Sequence, residues 1–142
     1  MSKKYKLGYT CGCFDLFHIG HLNLLERCKN MCDTLIVGIC SDNYIREYKN
    51  REPIYNQEDR KRIVEALKCV DKAIIVETED IVDKTNVQEC LGFDVLFNGD
   101  DWKGTERSVR TEEEFNKIGV SVEYFSYTQG ISTSKLREKI DK

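Results

Sequence analysis

The chain has 142 residues, 33% of them charged and 10% aromatic, and a net charge of −3 from 22 basic and 25 acidic side chains. That length is one domain's worth of protein, expected to run over residues 1–142 as a single unit and to bury roughly two-thirds of its unfolded surface. The composition excludes a disordered chain, the acidic balance argues against a general nucleic-acid binder, and no apolar run approaches the ~18 residues of a membrane span.

The first residues, Met1-Ser2-Lys3-Lys4-Tyr5-Lys6, are basic but lead into only a short apolar run, which does not make a secretory signal. Residues 6–11 read as a strand and 12–18 as a turn. Leu22, Leu25, Cys28, Met31 and Cys32 form a helical stripe over 21–32. The continuous apolar run at 34–40 predicts a strand buried on both faces. Ser41 and Asp42 cap a short helix to about Glu47, and a charged loop follows to Pro53. Asn56-Gln57-Glu58-Asp59 opens a helix carried by Ile63, Val64 and Leu67. A strand at 73–76, a helix over 80–91 and a strand at 95–98 come next, ending in the loop 99–104. Thr111-Glu112-Glu113-Glu114 has the pattern of a capping box before another helix. A last strand is expected at 120–125, and Ser132 or Thr133 caps a C-terminal helix to about Ile140.

Five strands alternating with helices predict an α/β fold, a Rossmann-like, doubly wound, parallel five-stranded sheet. Ligands of such sheets bind beyond the carboxyl ends of the strands. Loops 12–18, 41–53, 99–104 and 126–132 are therefore expected to converge on one site.

The seven cysteines stand at 11, 13, 28, 32, 40, 69 and 90. An odd number, without paired CxxC knuckles, predicts reduced thiols in the cytoplasm, several of them buried as small apolar residues. Cys28 and Cys32 stand four apart on a helix and have the spacing of a metal pair. Nothing nearby completes a closed zinc site, so no metal ligand is assigned to the protein.

The only histidines are His18 and His21, in Gly12-Cys13-Phe14-Asp15-Leu16-Phe17-His18-Ile19-Gly20-His21. A helix start offers free N–H groups and a positive dipole end to a phosphate. Gly20 lets the backbone approach closely. Histidines three apart face the same anion and follow its charge in a transition state. An H-x-x-H pair taken by itself fits capping or surface histidines equally well.

The rest of the chain adds to this. The segment 12–21 resembles the G-T-F-D-x-x-H-x-G-H signature of the nucleotidyltransferase superfamily. Gly130-Ile131-Ser132-Thr133-Ser134 resembles the R-T-E-G-I-S-T-[ST] signature of its cytidylyltransferase branch, and Gly99-Asp100-Asp101-Trp102 looks like the M-G-D-D-W segment of glycerol-3-phosphate cytidylyltransferases. Arg60-Lys61 and Val70-Asp71 also match in register, and the likeness runs from about Tyr9 to Ile140.

This resemblance implies an enzyme that transfers a cytidylyl group from CTP to a small alcohol phosphate. Glycerol 3-phosphate is foremost, the products are CDP-glycerol and pyrophosphate, and the pathway serves a cell-surface polymer such as teichoic acid. The transfer is a direct in-line displacement without a covalent enzyme intermediate. By the same resemblance His18, His21 and Lys49 act on the reacting phosphates. Cys13, Phe14, Gly20, Arg51, Asp100, Asp101, Tyr127, Gly130, Ile131, Ser132, Thr133 and Ser134 hold the nucleotide. Lys84 and Lys68 serve the acceptor. Mg²⁺ is expected with CTP, largely coordinated by the nucleotide itself, and a homodimer is implied. Trp102 fits either packing or the base pocket.

The chain departs from the signatures at several positions. Cys13 replaces a threonine, Tyr127 an arginine, Gln129 a glutamate and Lys68 another arginine. Loss of the cation at Tyr127 calls for a substitute, for which Arg137, Arg51 or a partner chain qualifies. The alternatives are the same chemistry with another polyol phosphate or a phosphonate, an ATP-using adenylyltransferase, and a non-catalytic nucleotide sensor.

Overall fold

Apolar side chains alternate between two faces along the strands, and the computed structural model, which describes residues 3–99, 103–126 and 131–141, has both faces covered. The elements run β1 (Tyr5–Gly12), α1 (Ile19–Met31), β2 (Cys32–Cys40), α2 (Asp42–Tyr48), α3 (Gln57–Glu65), β3 (Lys72–Val76), α4 (Thr78–Val82), α5 (Thr85–Leu91), β4 (Val95–Gly99), α6 (Glu106–Lys117), β5 (Ser121–Phe125) and α7 (Thr133–Asp141). All strand pairs are parallel, in the order β3-β2-β1-β4-β5. Leu35, Val37 and Ile39 of β2 pack with Val95 and Phe97 against Leu25, Cys28 and Val64. Ile36, Cys40 and Leu96 point the other way, toward Tyr44, Ile81, Val87 and Phe115. Each large side chain buried this way contributes about 1.5–3 kcal/mol. The expected five-stranded doubly wound sheet is the observed one.

Two helices differ from expectation. The helix predicted over 80–91 is broken in two. Asp83 stops α4 by accepting from Thr85 N at 3.1 Å and Thr85 Oγ1 at 2.6 Å, and this local turn outcompetes helix continuation. The helix expected to start at Thr111 starts a turn and a half earlier. Thr105 is its N-cap, accepting from Ser108 N at 3.2 Å, and Thr111 lies inside, its hydroxyl bonded back to Arg107 O. Gly104, at φ 84, provides the left-handed turn that lets Thr105 cap.

Cys28 and Cys32 are fully buried, and the Cys32 thiol donates to Cys28 O at 3.3 Å. They act as small core residues, and no cluster of three or more metal-binding side chains occurs among the described residues. No helix among the described residues is long and apolar enough to cross a membrane.

Candidate active site

The chain order turns back at β1, with β2 and β3 on one side and β4 and β5 on the other. A crevice opens at the carboxyl ends of strands at such a switch. Here it is a cavity of about 510 Å³, lined from the β1–α1 loop, the loop after α2, the α4–α5 break, α6 and the start of α7.

The β1–α1 loop is strained: Phe14 and Leu16 have φ of 54° and 49°, left-handed values that side chains disfavour. Asp15 between them holds the loop. Its carboxylate, 2% exposed, accepts from Leu16 N at 3.1 Å, Ile54 N at 2.7 Å and Tyr55 N at 2.9 Å. Arg137 of α7 reaches the same carboxylate at 3.5 Å and donates to Glu52 O at 3.1 Å. Thr133 Oγ1 donates to Asp15 O at 2.9 Å. One acid thus ties together three walls of the cavity. Arg60, fully buried, adds a second tie. Its guanidinium donates to Cys13 O, Cys40 O and Tyr55 O and pairs with Asp42 at 2.6 Å.

His18 and His21 begin α1 with a reciprocal cap. His18 Nδ1 accepts from Gly20 N at 3.1 Å, and His21 Nδ1 accepts from His18 N at 3.2 Å. A Cβ on Gly20 would lie 2.9 Å from the His18 ring, so any side chain there would push that ring out of place. With both Nδ1 atoms accepting, each neutral ring carries its proton on Nε2. Burial lowers the pKa of His18. Burial, then His18 beside it, pushes His21 down to about 3 against the opposing pull of Asp15. At neutral pH the pair is therefore two N–H donors, not two cations. Such a pair strengthens its hydrogen bonds as charge builds on an oxyanion.

Ser132 caps α7, accepting from Lys135 N at 3.1 Å. Ser132, Thr133 and Ser134 line the cavity, and a helix start leaves its first N–H groups without intrahelical partners. The Thr133 hydroxyl itself is committed to Asp15.

The structure brings together His18, His21, Lys49, Cys13, Phe14, Gly20, Arg51, Ile131, Ser132, Thr133, Ser134 and Lys84 around the cavity. Phe14 supports it with a buried ring set edge-on to His21 at 5.3 Å. Lys68 is exposed and absent from the lining, since the turn after α3 turns it away. Asp100, Asp101, Trp102, Tyr127, Gln129 and Gly130 lie outside the described residues. Of the cations suggested to replace the arginine at Tyr127, Arg137 is engaged by Asp15. Arg51 has a buried Nε without a hydrogen-bond partner among the described residues and faces the cavity.

Lys84, inside the helix expected over 80–91, is not on a continuous helix. It sits at the α4–α5 break with Nζ on Ile81 O at 2.9 Å, and burial lowers its pKa, with Arg107 adding to the effect. Arg107 of α6 was missed. It donates to the same carbonyl at 2.6 Å and hydrogen-bonds the Tyr44 side chain. Its signal was Thr105-x-x-Ser108, a cap that places Arg107 and Thr111 on one helix face.

This arrangement defines a nucleotide-binding α/β protein with an H-x-G-H helix start, of the nucleotidyltransferase class. The chain belongs to the cytidylyltransferase-like family, whose profile matches residues 9–139. It is 36% identical over 136 residues to the glycerol-3-phosphate cytidylyltransferase of Bacillus subtilis, covering 92% of this chain and 94% of that one. It is 35% identical over 140 residues to the bifunctional protein HldE of Citrifermentans bemidjiense, with 98% of this chain aligned to only 28% of that protein. Among solved structures it superposes on the lipopolysaccharide core biosynthesis protein of Thermoplasma volcanium with a TM-score of 0.74 at 26% identity, covering 88% of this chain and 99% of the other.

Proposed function

We propose that this chain transfers a cytidylyl group from CTP to a small alcohol phosphate, glycerol 3-phosphate foremost, giving a CDP-alcohol and pyrophosphate. The observation that carries the reading is the reciprocal His18–His21 cap, which leaves Nε2–H as the free donor on two rings that line the same cavity as the α7 helix start. An acceptor phosphate oxygen attacks the α-phosphorus in line, and pyrophosphate leaves on the opposite side. The histidines donate to the α-phosphoryl oxygens as their charge rises. The α7 N–H groups, the Ser132 hydroxyl, Lys49 and Arg51 hold the β- and γ-phosphates. Lys84 and Arg107 face the acceptor phosphate from the other wall.

Mg²⁺ belongs with the nucleotide in this reading. Asp15 is the carboxylate in the described lining, and its oxygens already accept three N–H groups. The donor set therefore suits a cation brought in and largely coordinated by the triphosphate, whose charge it neutralises. The reading includes a homodimer through the surface beside the first motif, where Ile19 is 54% exposed. Sedimentation tests that part.

A larger polyol phosphate is the second acceptor, favoured by the Ser108 and Thr111 side chains in the α6 wall. Pyrophosphate release tests both, using CTP or ATP against glycerol 3-phosphate and a panel of polyol phosphates. Turnover with CTP and glycerol 3-phosphate above all other pairs is expected. Equal or better turnover with ATP overturns the nucleotide assignment. Nucleotide binding without turnover on any acceptor makes the chain a sensor.

A further inference from the structure

Three thiols meet at the floor of the cavity, and the proposed transfer uses none of them. Cys11 Sγ lies 3.9 Å from Cys40 Sγ, and the Cys40 thiol also hydrogen-bonds Cys13. All three line the cavity, so a small reagent entering it meets them.

Backbone register selects one pair. Gly12 opposite Ile39 is the last pair of the β1–β2 ladder, and Cys13 and Cys40 are the residues that follow these two. A single nitrogen of Arg60 binds both of their carbonyls, at 2.8 and 2.7 Å. Directly opposed residues on adjacent strands lie about 4.8 Å apart, within the Cα range of about 4.4–6.8 Å that a disulfide spans. Cys11 stands opposite Gly38, two residues short of Cys40. That offset adds a two-residue strand repeat and carries its Cα beyond the limit of about 7 Å.

The charges distinguish the two partners. The Cys40 hydrogen bond, then Lys49, Arg60 and Arg51, hold the Cys13 thiol down to about 7 against burial. Hydrogen bonds to Cys11 and Cys13, with burial, push Cys40 well up. The Cys40 hydrogen bond, with Lys84, lowers the Cys11 thiol as well against burial, so it is backbone placement that selects Cys13 as the thiolate, with Cys40 the protonated neighbour, the division of labour between an attacked and a resolving thiol. Burial pushes the thiols of Cys28, Cys32 and Cys69 up instead.

We propose that Cys13 is a site of oxidative modification by hydroperoxides, resolved by Cys40 to a reversible Cys13–Cys40 disulfide in the cavity floor. The Cys13 thiolate attacks one peroxide oxygen, the O–O bond breaks, and the departing hydroxide takes a proton to leave as water. The Cys40 sulfur then displaces the sulfenic hydroxyl, and its thiol proton leaves with that hydroxyl as a second water. Two electrons pass from the two sulfurs to one peroxide.

The test treats the full chain with hydrogen peroxide at neutral pH, blocks remaining thiols with N-ethylmaleimide and maps unreduced peptides by mass spectrometry. The expected result is a Cys13–Cys40 linked peptide about 2 Da lighter than its two parts, formed before any other cysteine changes and lost on adding dithiothreitol. Cys40→Ala should leave Cys13 as a sulfenic acid that dimedone traps, and Cys11→Ser should leave the link intact. Peroxide that labels the exposed Cys90 while Cys13 and Cys40 are both recovered as free thiols overturns the proposal. So does a Cys11–Cys40 link in its place. The wild-type map decides even where a variant fails to fold, and it does not depend on the nucleotide or the acceptor.

Discussion

His18 and His21 stack ring on ring, centroids 3.8 Å apart, and each uses its Nδ1 to hold a backbone N–H of the same helix start. In the proposed reaction, capping and catalysis fall on opposite edges of each ring, and a substitution can separate them. Asn at position 21 keeps an acceptor near Nδ1 and loses the Nε2–H. We expect His21→Asn to fold with little loss of stability and to lower kcat about a hundredfold or more, the effect of removing a transition-state donor worth ~2.7–4 kcal/mol. His18→Ala should lose similar activity and about 1 kcal/mol of stability with its cap. Steady-state kinetics and urea unfolding measure both, and activity within threefold of wild type would take the histidines out of the reaction.

The neutral pair also sets a pH dependence. A histidine ordinarily titrates near 6.5, whereas folding holds His21 near 3. Between these values the unfolded chain binds a proton that the folded chain does not, so stability is present above about 6.5 and is lost as pH falls. From pH 7 to pH 5 one such group removes about 2 kcal/mol. Urea unfolding at the two pH values should give that loss in wild type and much less in His21→Asn. Equal losses in both proteins would mean that His21 is not held neutral.

The sheet was legible because the apolar runs at 34–40 and 95–98 alternate faces whatever surrounds them. The helix start at His18 was legible because its motif is contiguous. Thr111 misled because Thr-Glu-Glu-Glu has the pattern of a cap, and only the turn at Gly104 shows that Thr105 takes the role first. The break at Asp83 arises from a side-chain turn that periodicity does not register. Lys84 and Arg107 meet through one carbonyl across 23 residues of chain, a convergence that only the tertiary fold supplies. Asp15 was quoted within its motif without a role, because its partners at 54, 55 and 137 are remote in sequence.

Asp15 should therefore matter more to the shape of the site than to chemistry. Asp15→Ala leaves Ile54 N, Tyr55 N and Leu16 N without their acceptor and the Arg137 guanidinium without its partner. Removing one member of a buried charged network costs about 3–5 kcal/mol, and the strained Phe14 and Leu16 lose what holds them. The expected outcome is a large drop in the urea midpoint with weakened CTP binding. Asp15→Asn, which keeps one acceptor oxygen, should fall between. Wild-type stability in Asp15→Ala would show that the loop is held by something else.

Lys84 and Arg107 donate to one carbonyl, Ile81 O, at 2.9 and 2.6 Å, so two cations stand side by side in the cavity wall. Arg107 contributes to the lowered pKa of Lys84 after burial does. A dianionic phosphate arriving between them would relieve that repulsion, which is why the proposed reaction gives the pair to the acceptor rather than to the nucleotide. A charge-assisted hydrogen bond is worth about 1.5–3 kcal/mol, which is roughly ten- to a hundredfold in affinity. Lys84→Met and Arg107→Met should each raise the acceptor KM by that factor and leave the CTP KM nearly unchanged. The sign of the pH effect follows. Raising the pH deprotonates Lys84 below the ordinary lysine range, so the wild-type acceptor KM should climb on the alkaline side while that of Lys84→Met stays flat. Kinetics with each substrate varied in turn, from neutral pH to about pH 10, reads all of this. An acceptor KM that neither substitution moves would place the acceptor elsewhere.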